Sequence, residues 1–127
     1  MIIRRSKESD YKGIKKLVGR YPKQLVQKHL PKVGSFFVAE DKGNIVGCCA
    51  LEVYSRRIAE IRSLAVAKRW QGKGIGSQLV EACLKQARKR KVYEVFAITG
   101  KIKMLSRFGF GVFSSEKFAV FKILKKS

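Results

Sequence analysis

The chain has 127 residues, 46% of them hydrophobic, only two prolines, and 29 Lys+Arg against 9 Asp+Glu for a formal net charge of +20. That length and apolar share fit one globular domain over 1–127 with a core of its own, and they exclude a disordered or fibrous chain. No window approaches the ~20 apolar residues of a membrane-spanning helix, and the start, MIIRRSKESD, places charges where an export signal needs apolar residues.

Three cysteines, Cys48, Cys49 and Cys83, and a single histidine, His29, offer no metal-ligand spacing. A reduced, cytoplasmic, metal-free protein that does not enter membranes is expected. The charge suits any polyanion, whether nucleic acid, a phosphorylated cofactor or an acidic metabolite, and it equally suits a solvated basic surface. Basic residues run from Arg4 to Lys126, so charge alone assigns no partner.

In chain order, Ile2–Arg5 reads as a strand, and Ser6 or Ser9 as the cap of a helix carrying Tyr11, Ile14, Leu17 and Val18 on one face. Leu25, Val26 and Leu30 predict a second short helix between Pro22 and Pro31. Ser35–Glu40 and Ile45–Tyr54 read as strands joined by the turn Asp41-Lys42-Gly43-Asn44. Arg57–Ala67 alternates, which places Ile58, Glu60, Arg62, Leu64 and Val66 on one face and Ala59, Ile61, Ser63 and Ala65 on the other. A helix from Ile75 follows a glycine turn, then a strand over Val92–Thr99, a short helix over Lys101–Phe108 ended by Gly109, and a closing strand over Phe118–Leu124. This order predicts an α/β fold. Its sheet is mixed, an antiparallel meander followed by a parallel crossover pair, with helices on both faces.

The glycine turn, Gln71-Gly72-Lys73-Gly74-Ile75-Gly76, carries the chemistry. A nucleotide P-loop needs Ser or Thr after the lysine, and here Gly74 follows Lys73. A dinucleotide fingerprint needs a third glycine where Ser77 stands. What remains is a strand, three alternating glycines and a helix start, whose successive N–H groups converge at the positive end of a helix. Such a turn fits a pyrophosphate.

These residues resemble the GNAT N-acetyltransferases, whose signature is Gln/Arg-x-x-Gly-x-Gly/Ala after a strand. Leu64-Ala65-Val66 resembles the family's strand before the loop, and Arg107-Phe108-Gly109-Phe110 the turn that ends its last helix. The resemblance implies the GNAT fold and acetyl-CoA as co-substrate, in the opening between splayed parallel strands Ile58–Ala67 and Val92–Thr99. The pantetheine would pair with Leu64, Ala65 and Val66, and the pyrophosphate would rest on the amides of Gln71, Gly72, Lys73, Gly74, Ile75, Gly76 and Ser77.

Acyl transfer to an amine needs a neutral amine, and an α-amine titrates near ~8 and a lysine near ~10.4, so a base must help. Glu60 falls where several family members carry a catalytic glutamate; it also has Arg56, Arg57 and Arg62 nearby as ion-pair partners. The resemblance places backbone N–H groups near Leu64 or Ala65 at the oxyanion formed on attack. The family's usual proton donor, a tyrosine four residues before the glycine of the Gly-Phe turn, is replaced by Leu105. Tyr54 and Tyr93 read as packed strand aromatics. Cys48 and Cys49 have no histidine at motif spacing, which speaks against a covalent intermediate.

SFFVAEDKGNIVGCCAL and AEIRSLAV look most like the acetyltransferase domain of N-acetylglutamate synthases. The implied acceptor is a small acidic amino acid, with Arg62, Lys101, Lys103 or Arg107 as its carboxylate ligands. Gly100 departs from that subgroup, which tends to carry an arginine in the Thr99–Lys101 stretch, so protein amines and other small amines stay open. So do a silent CoA-binding domain, a basic nucleic-acid-binding module, and assembly as a homodimer.

Overall fold

Asp41-Lys42-Gly43-Asn44 closes a hairpin in the computed structural model of the chain, with Lys42 and Gly43 at φ of 49° and 83°. Two successive left-handed residues give the turn whose twist matches its flanking strands. The structure describes residues 1–112 and, beyond them, 120, 122 and 124. The closing strand expected over Phe118–Leu124 falls largely outside the described residues.

Among the described residues, five strands form one sheet in chain order: β1 (Ile2–Arg5), β2 (Phe36–Asp41), β3 (Asn44–Val53), β4 (Ile58–Val66) and β5 (Glu94–Phe96). Pairing is antiparallel from β1 to β4 and parallel between β4 and β5. The mixed sheet is therefore as expected. Helices α1 (Tyr11–Val18), α2 (Ile75–Lys89) and α3 (Ile102–Ser106) accompany it.

Two bulges decide which residues face which helix. In β3 the register shifts between Ala39–Gly47 and Glu40–Ile45, so Ile45 and Gly47 point to opposite faces. A Cβ on Gly13 of α1 would meet Ile45, and one on Gly47 would meet Ile75 and Leu79 of α2 at 3.1 Å. The two helices thus cover opposite faces. Ile14, Leu17 and Val18 bury one side of the sheet, and Ile75, Leu79, Val80 and Cys83 the other.

The second bulge lies in β4, where Ala50 pairs with Arg62 but Cys48 pairs with Ala65. The extra residue is Ser63, at φ 56°. It reverses the alternation, because facing residues of an antiparallel pair share a side. Glu60 and Arg62 lie on the α1 face, whereas Leu64 and Val66 lie on the α2 face. The single face expected for all four is corrected by that one residue.

The helix expected over Leu25–Leu30 does not form; the segment is irregular chain with bends, after a turn over 22–24. The Gln27 amide bonds the carbonyls of Val18, Tyr21 and Leu25, and Pro31 restrains the residue before it. Nor does a serine cap α1. The Ser6 hydroxyl donates to the carbonyl of Val33 instead, and Asp10 accepts from the Lys7 N–H at 2.6 Å.

Asp10 is buried, and Arg4 grips it through two nitrogens at 2.8 and 2.9 Å. The Arg4 bond holds its carboxyl below the usual range against the opposing effect of burial. Replacing Asp10 with alanine is expected to cost about 2–3 kcal/mol in a urea melt, the scale for hydrogen bonds to charged groups. Because the folded pKa is depressed, this stabilisation is complete above the unfolded value near ~3.9 and is lost as pH falls through the folded one. From pH 5 to pH 2 the parent should therefore lose more stability than an Asp10→Asn variant.

Candidate active site

β4 and β5 pair only over Ile58–Glu60 and Glu94–Phe96, yet β4 runs on to Val66. Beyond Glu60 the strands diverge, and among the described residues no strand covers that edge of β4. The strand expected over Val92–Thr99 is limited to Glu94–Phe96, and Ile98 and Thr99 are exposed with no ladder partner among the described residues. The result is a wedge that widens from Glu60 toward Val66. The Ser63 bulge disrupts pairing with β3 inside it.

β4 leads through a short turn, Lys68–Trp70, into the glycine segment. Gly72 and Gly74 sit at φ 77° and 83°, left-handed values that a β-branched residue resists. The Gln71 side chain donates to the carbonyl of Val66 at 2.9 Å and to the Tyr21 hydroxyl at 3.2 Å, while Tyr21 donates to the same carbonyl at 2.7 Å. These bonds tie the turn to the end of β4. Gly76 has no unusual φ, and a Cβ there would meet only Val66, at an ordinary 3.9 Å. Nothing among the described residues requires glycine at that place, but a phosphate approaching the first turn of α2 would. No acidic residue stands in that turn, and Lys68, Arg69 and Lys73 are exposed near it.

At the closed end of the wedge, on the α1 face, four side chains meet. Glu52 and Glu60 are direct cross-strand partners. The Tyr54 hydroxyl lies 2.6 Å from Glu60 Oε1 and 3.1 Å from Glu52 Oε2. Arg62 Nη1 reaches Glu52 Oε2 at 2.5 Å, and its Nη2 donates to the His29 carbonyl at 3.1 Å. Burial works against the Arg62 charge, and only the bond to Glu52 together with the nearby charges of Glu52 and Glu60 outweighs it, so its pKa is raised. Partial burial of the Tyr54 phenol, then its bond to Glu60, raises its pKa, so the hydroxyl keeps its proton. Arg57 pairs with Glu94, and Glu60 makes no ion pair among the described residues.

The sequence singled out Glu60 and Arg62, and the structure brings them together. It missed Glu52 and misread Tyr54, which is half exposed, stacks on Phe96 and bonds Glu60. Counting back from the Ser55-Arg56-Arg57 turn would have set Glu52 opposite Glu60. Lys101 and Lys103 are exposed at the start of α3, and no bond or ion pair among the described residues joins them to this cluster. Leu105 is buried, so α3 offers no proton donor there.

The cysteines are packing residues. Cys48, Cys49 and Cys83 are fully buried, and burial pushes the Cys48 thiol up to about 12. Cys49 is raised as well, first by its hydrogen bond with Cys83 and then by burial. The folded chain is expected to resist iodoacetamide at pH 8, with all three thiols labelled only after unfolding; a mass spectrum decides.

A model of the Acetyltransferase (GNAT) family matches residues 5–110. The chain is 34% identical over 122 residues to an uncharacterized N-acetyltransferase of Chlorobaculum tepidum, covering 91% of this chain and 79% of that protein. It is 38% identical over 117 residues to an amino-acid acetyltransferase of Mycobacterium tuberculosis, covering 86% and 67% of the two. A solved structure of a Mycobacterium tuberculosis protein, in complex with CoA and a second ligand, superposes with a TM-score of 0.84 at 36% identity, over 90% of this chain and 74% of that one. An N-acetylglutamate synthase from Neisseria gonorrhoeae shares the fold at a TM-score of 0.79 and 24% identity, over 92% of this chain but 30% of that one. The family model spans residues 5–110, the stretch that holds the wedge, the glycine turn and the acid cluster, and the chain belongs to the GNAT family of acetyltransferases.

Proposed function

We propose that the chain, as a single domain over 1–127, moves an acetyl group from acetyl-CoA to the α-amine of a small amino acid, an acidic one first, by direct attack of the amine. One observation carries this reading. The wedge opened by β4 leads at one end to the glycine turn and at the other to Glu60 and Arg62. The relatives supporting it are an amino-acid acetyltransferase and a structure that holds CoA.

The cofactor fits the residues present. No strand among the described residues covers the edge of β4 at Leu64, Ala65 and Val66, and its backbone groups other than the Val66 carbonyl, which Tyr21 and Gln71 occupy, would pair with an extended pantetheine as with an added strand. The Gln71 amide is taken by the Lys68 carbonyl, which leaves the amides from Gly72 to Ser77 to meet a pyrophosphate, with Gly76 giving it room and Lys73 adding charge. Acetyl-CoA supplies the acetyl group as a thioester, and the chain's own residues prepare the acceptor. Glu60 takes the proton of the ammonium, directly or through water, and Arg62 holds the acceptor's carboxylate on the same face. Lys101 and Lys103 stand at the exposed start of α3 as a second, looser set of cations for a side-chain carboxylate.

A thiol-release assay with acetyl-CoA across the twenty amino acids tests this. Release with one or a few of them is expected, together with micromolar acetyl-CoA binding at low and high salt. Binding without release for any amino acid or peptide amine would leave a silent CoA-binding domain, a reading that draws on the buried Leu105. No binding, with steeply salt-dependent RNA binding instead, would leave a basic nucleic-acid module.

A further inference from the structure

Glu52 and Glu60 face each other across β3 and β4, an arrangement in which like charges repel. The molecule offsets this unequally. Tyr54 has one hydroxyl proton, and its closer partner is Glu60, at 2.6 Å against 3.1 Å for Glu52. Glu52 receives the cation instead, Arg62 Nη1 at 2.5 Å. One carboxylate is thus held by a cation and the other by a neutral donor.

Arg62 is held at two points, by Glu52 and by the His29 carbonyl. A guanidinium has five N–H donors, so donors remain for a carboxylate while the fork itself is fixed in direction. Tyr54 is fixed in turn by the Phe96 ring, with centroids 6.4 Å apart, and so links β5 to Glu60. Glu60 and Arg62 precede the bulge and lie two residues apart on one face, roughly 6–7 Å along the strand. That spacing suits a molecule with an ammonium at one end and a carboxylate at the other.

We propose that Glu52 and Tyr54 are positioning residues that set the direction in which an α-amino acid enters: Glu52 aims Arg62 at its carboxylate, and Tyr54 aims Glu60 at its amine. This rests on the roles given above to Glu60 and Arg62. It divides two adjacent carboxylates into one that orients a cation and one that meets the acceptor.

The test compares two acceptors: the best of the twenty amino acids, and the amine left when its α-carboxyl group is removed. Glu52→Gln is expected to raise KM for the amino acid about tenfold, to leave kcat within about twofold, and to leave KM for the amine unchanged. Tyr54→Phe is expected to lower kcat about tenfold for both acceptors with little change in either KM. Equal KM changes for the two acceptors in Glu52→Gln, or an unaltered kcat in Tyr54→Phe, overturns the assignment. Should Glu52→Gln fail to fold, Arg62→Lys makes the same comparison with Glu52 intact, and an equal effect on both acceptors again overturns it. A fully active Glu60→Gln would remove the base and leave the two-acceptor comparison able to decide Glu52 and Arg62 separately.

Discussion

Gly76→Val is expected to weaken acetyl-CoA binding about 100-fold while leaving the folded chain as stable as before. The residue is the second of α2 and has ordinary helical geometry, so a side chain there brings no backbone strain. Valine is no worse a helix former than glycine, and its Cβ would meet Val66 at ordinary contact distance. Inside the chain, the substitution should therefore be silent. Outside it, the added carbons occupy the space through which a pyrophosphate reaches the first-turn amides. Losing one or two charge-assisted hydrogen bonds costs on the order of 3 kcal/mol, which is about two decades in affinity. Gly74→Val should abolish binding too, but at φ 83° it also strains the turn, so its loss would have two causes. Titration calorimetry beside a thermal melt separates them: normal CoA affinity in a folded Gly76→Val protein would refute the cradle.

The glycine turn was legible because a left-handed φ and a close approach both demand the same residue, and that demand is written locally. The strand order was legible for a similar reason, since turn residues and alternation mark each hairpin. What escaped the sequence was register. The bulge at Ser63 carries no glycine or proline to announce it, yet it moves Leu64 and Val66 to the helix α2 side and leaves Glu60 and Arg62 on the other. Glu52 was invisible for the same reason, because its partner depends on which residues face each other across a turn. Tyr54 was misread because an aromatic in a strand is usually packing, and only the position of its hydroxyl beside Glu60 says otherwise. The segment from 21 to 31 was misread because apolar spacing spoke for a helix, while the Gln27 amide ties the chain back to the end of α1 at Val18 and takes the Leu25 carbonyl that a helix would use.

Glu60→Gln is expected to lower kcat about 100-fold at pH 7, the lower end of what a positioned base contributes, with acetyl-CoA affinity unchanged. Glutamine keeps an oxygen for the Tyr54 proton, so the side chain stays in place and only its basicity is lost. Of the nearby arginines, Arg57 pairs with Glu94 and Arg62 with Glu52, and Glu60 makes no ion pair among the described residues. The size of the defect should depend on pH in a defined direction. Below the α-amine's pKa near ~8 the acceptor arrives protonated and needs the base; above it the free amine grows abundant and needs it less. The ratio of parent to variant rates should accordingly shrink as pH rises from 7 to 9.5. A constant ratio would mean that Glu60 acts on shape and not on the proton. Stability should move the other way, since removing one of two facing carboxylates relieves repulsion worth a few tenths of a kcal/mol. A variant that melts slightly higher and turns over far more slowly is what a charge kept for chemistry, against the interest of the sheet, would produce.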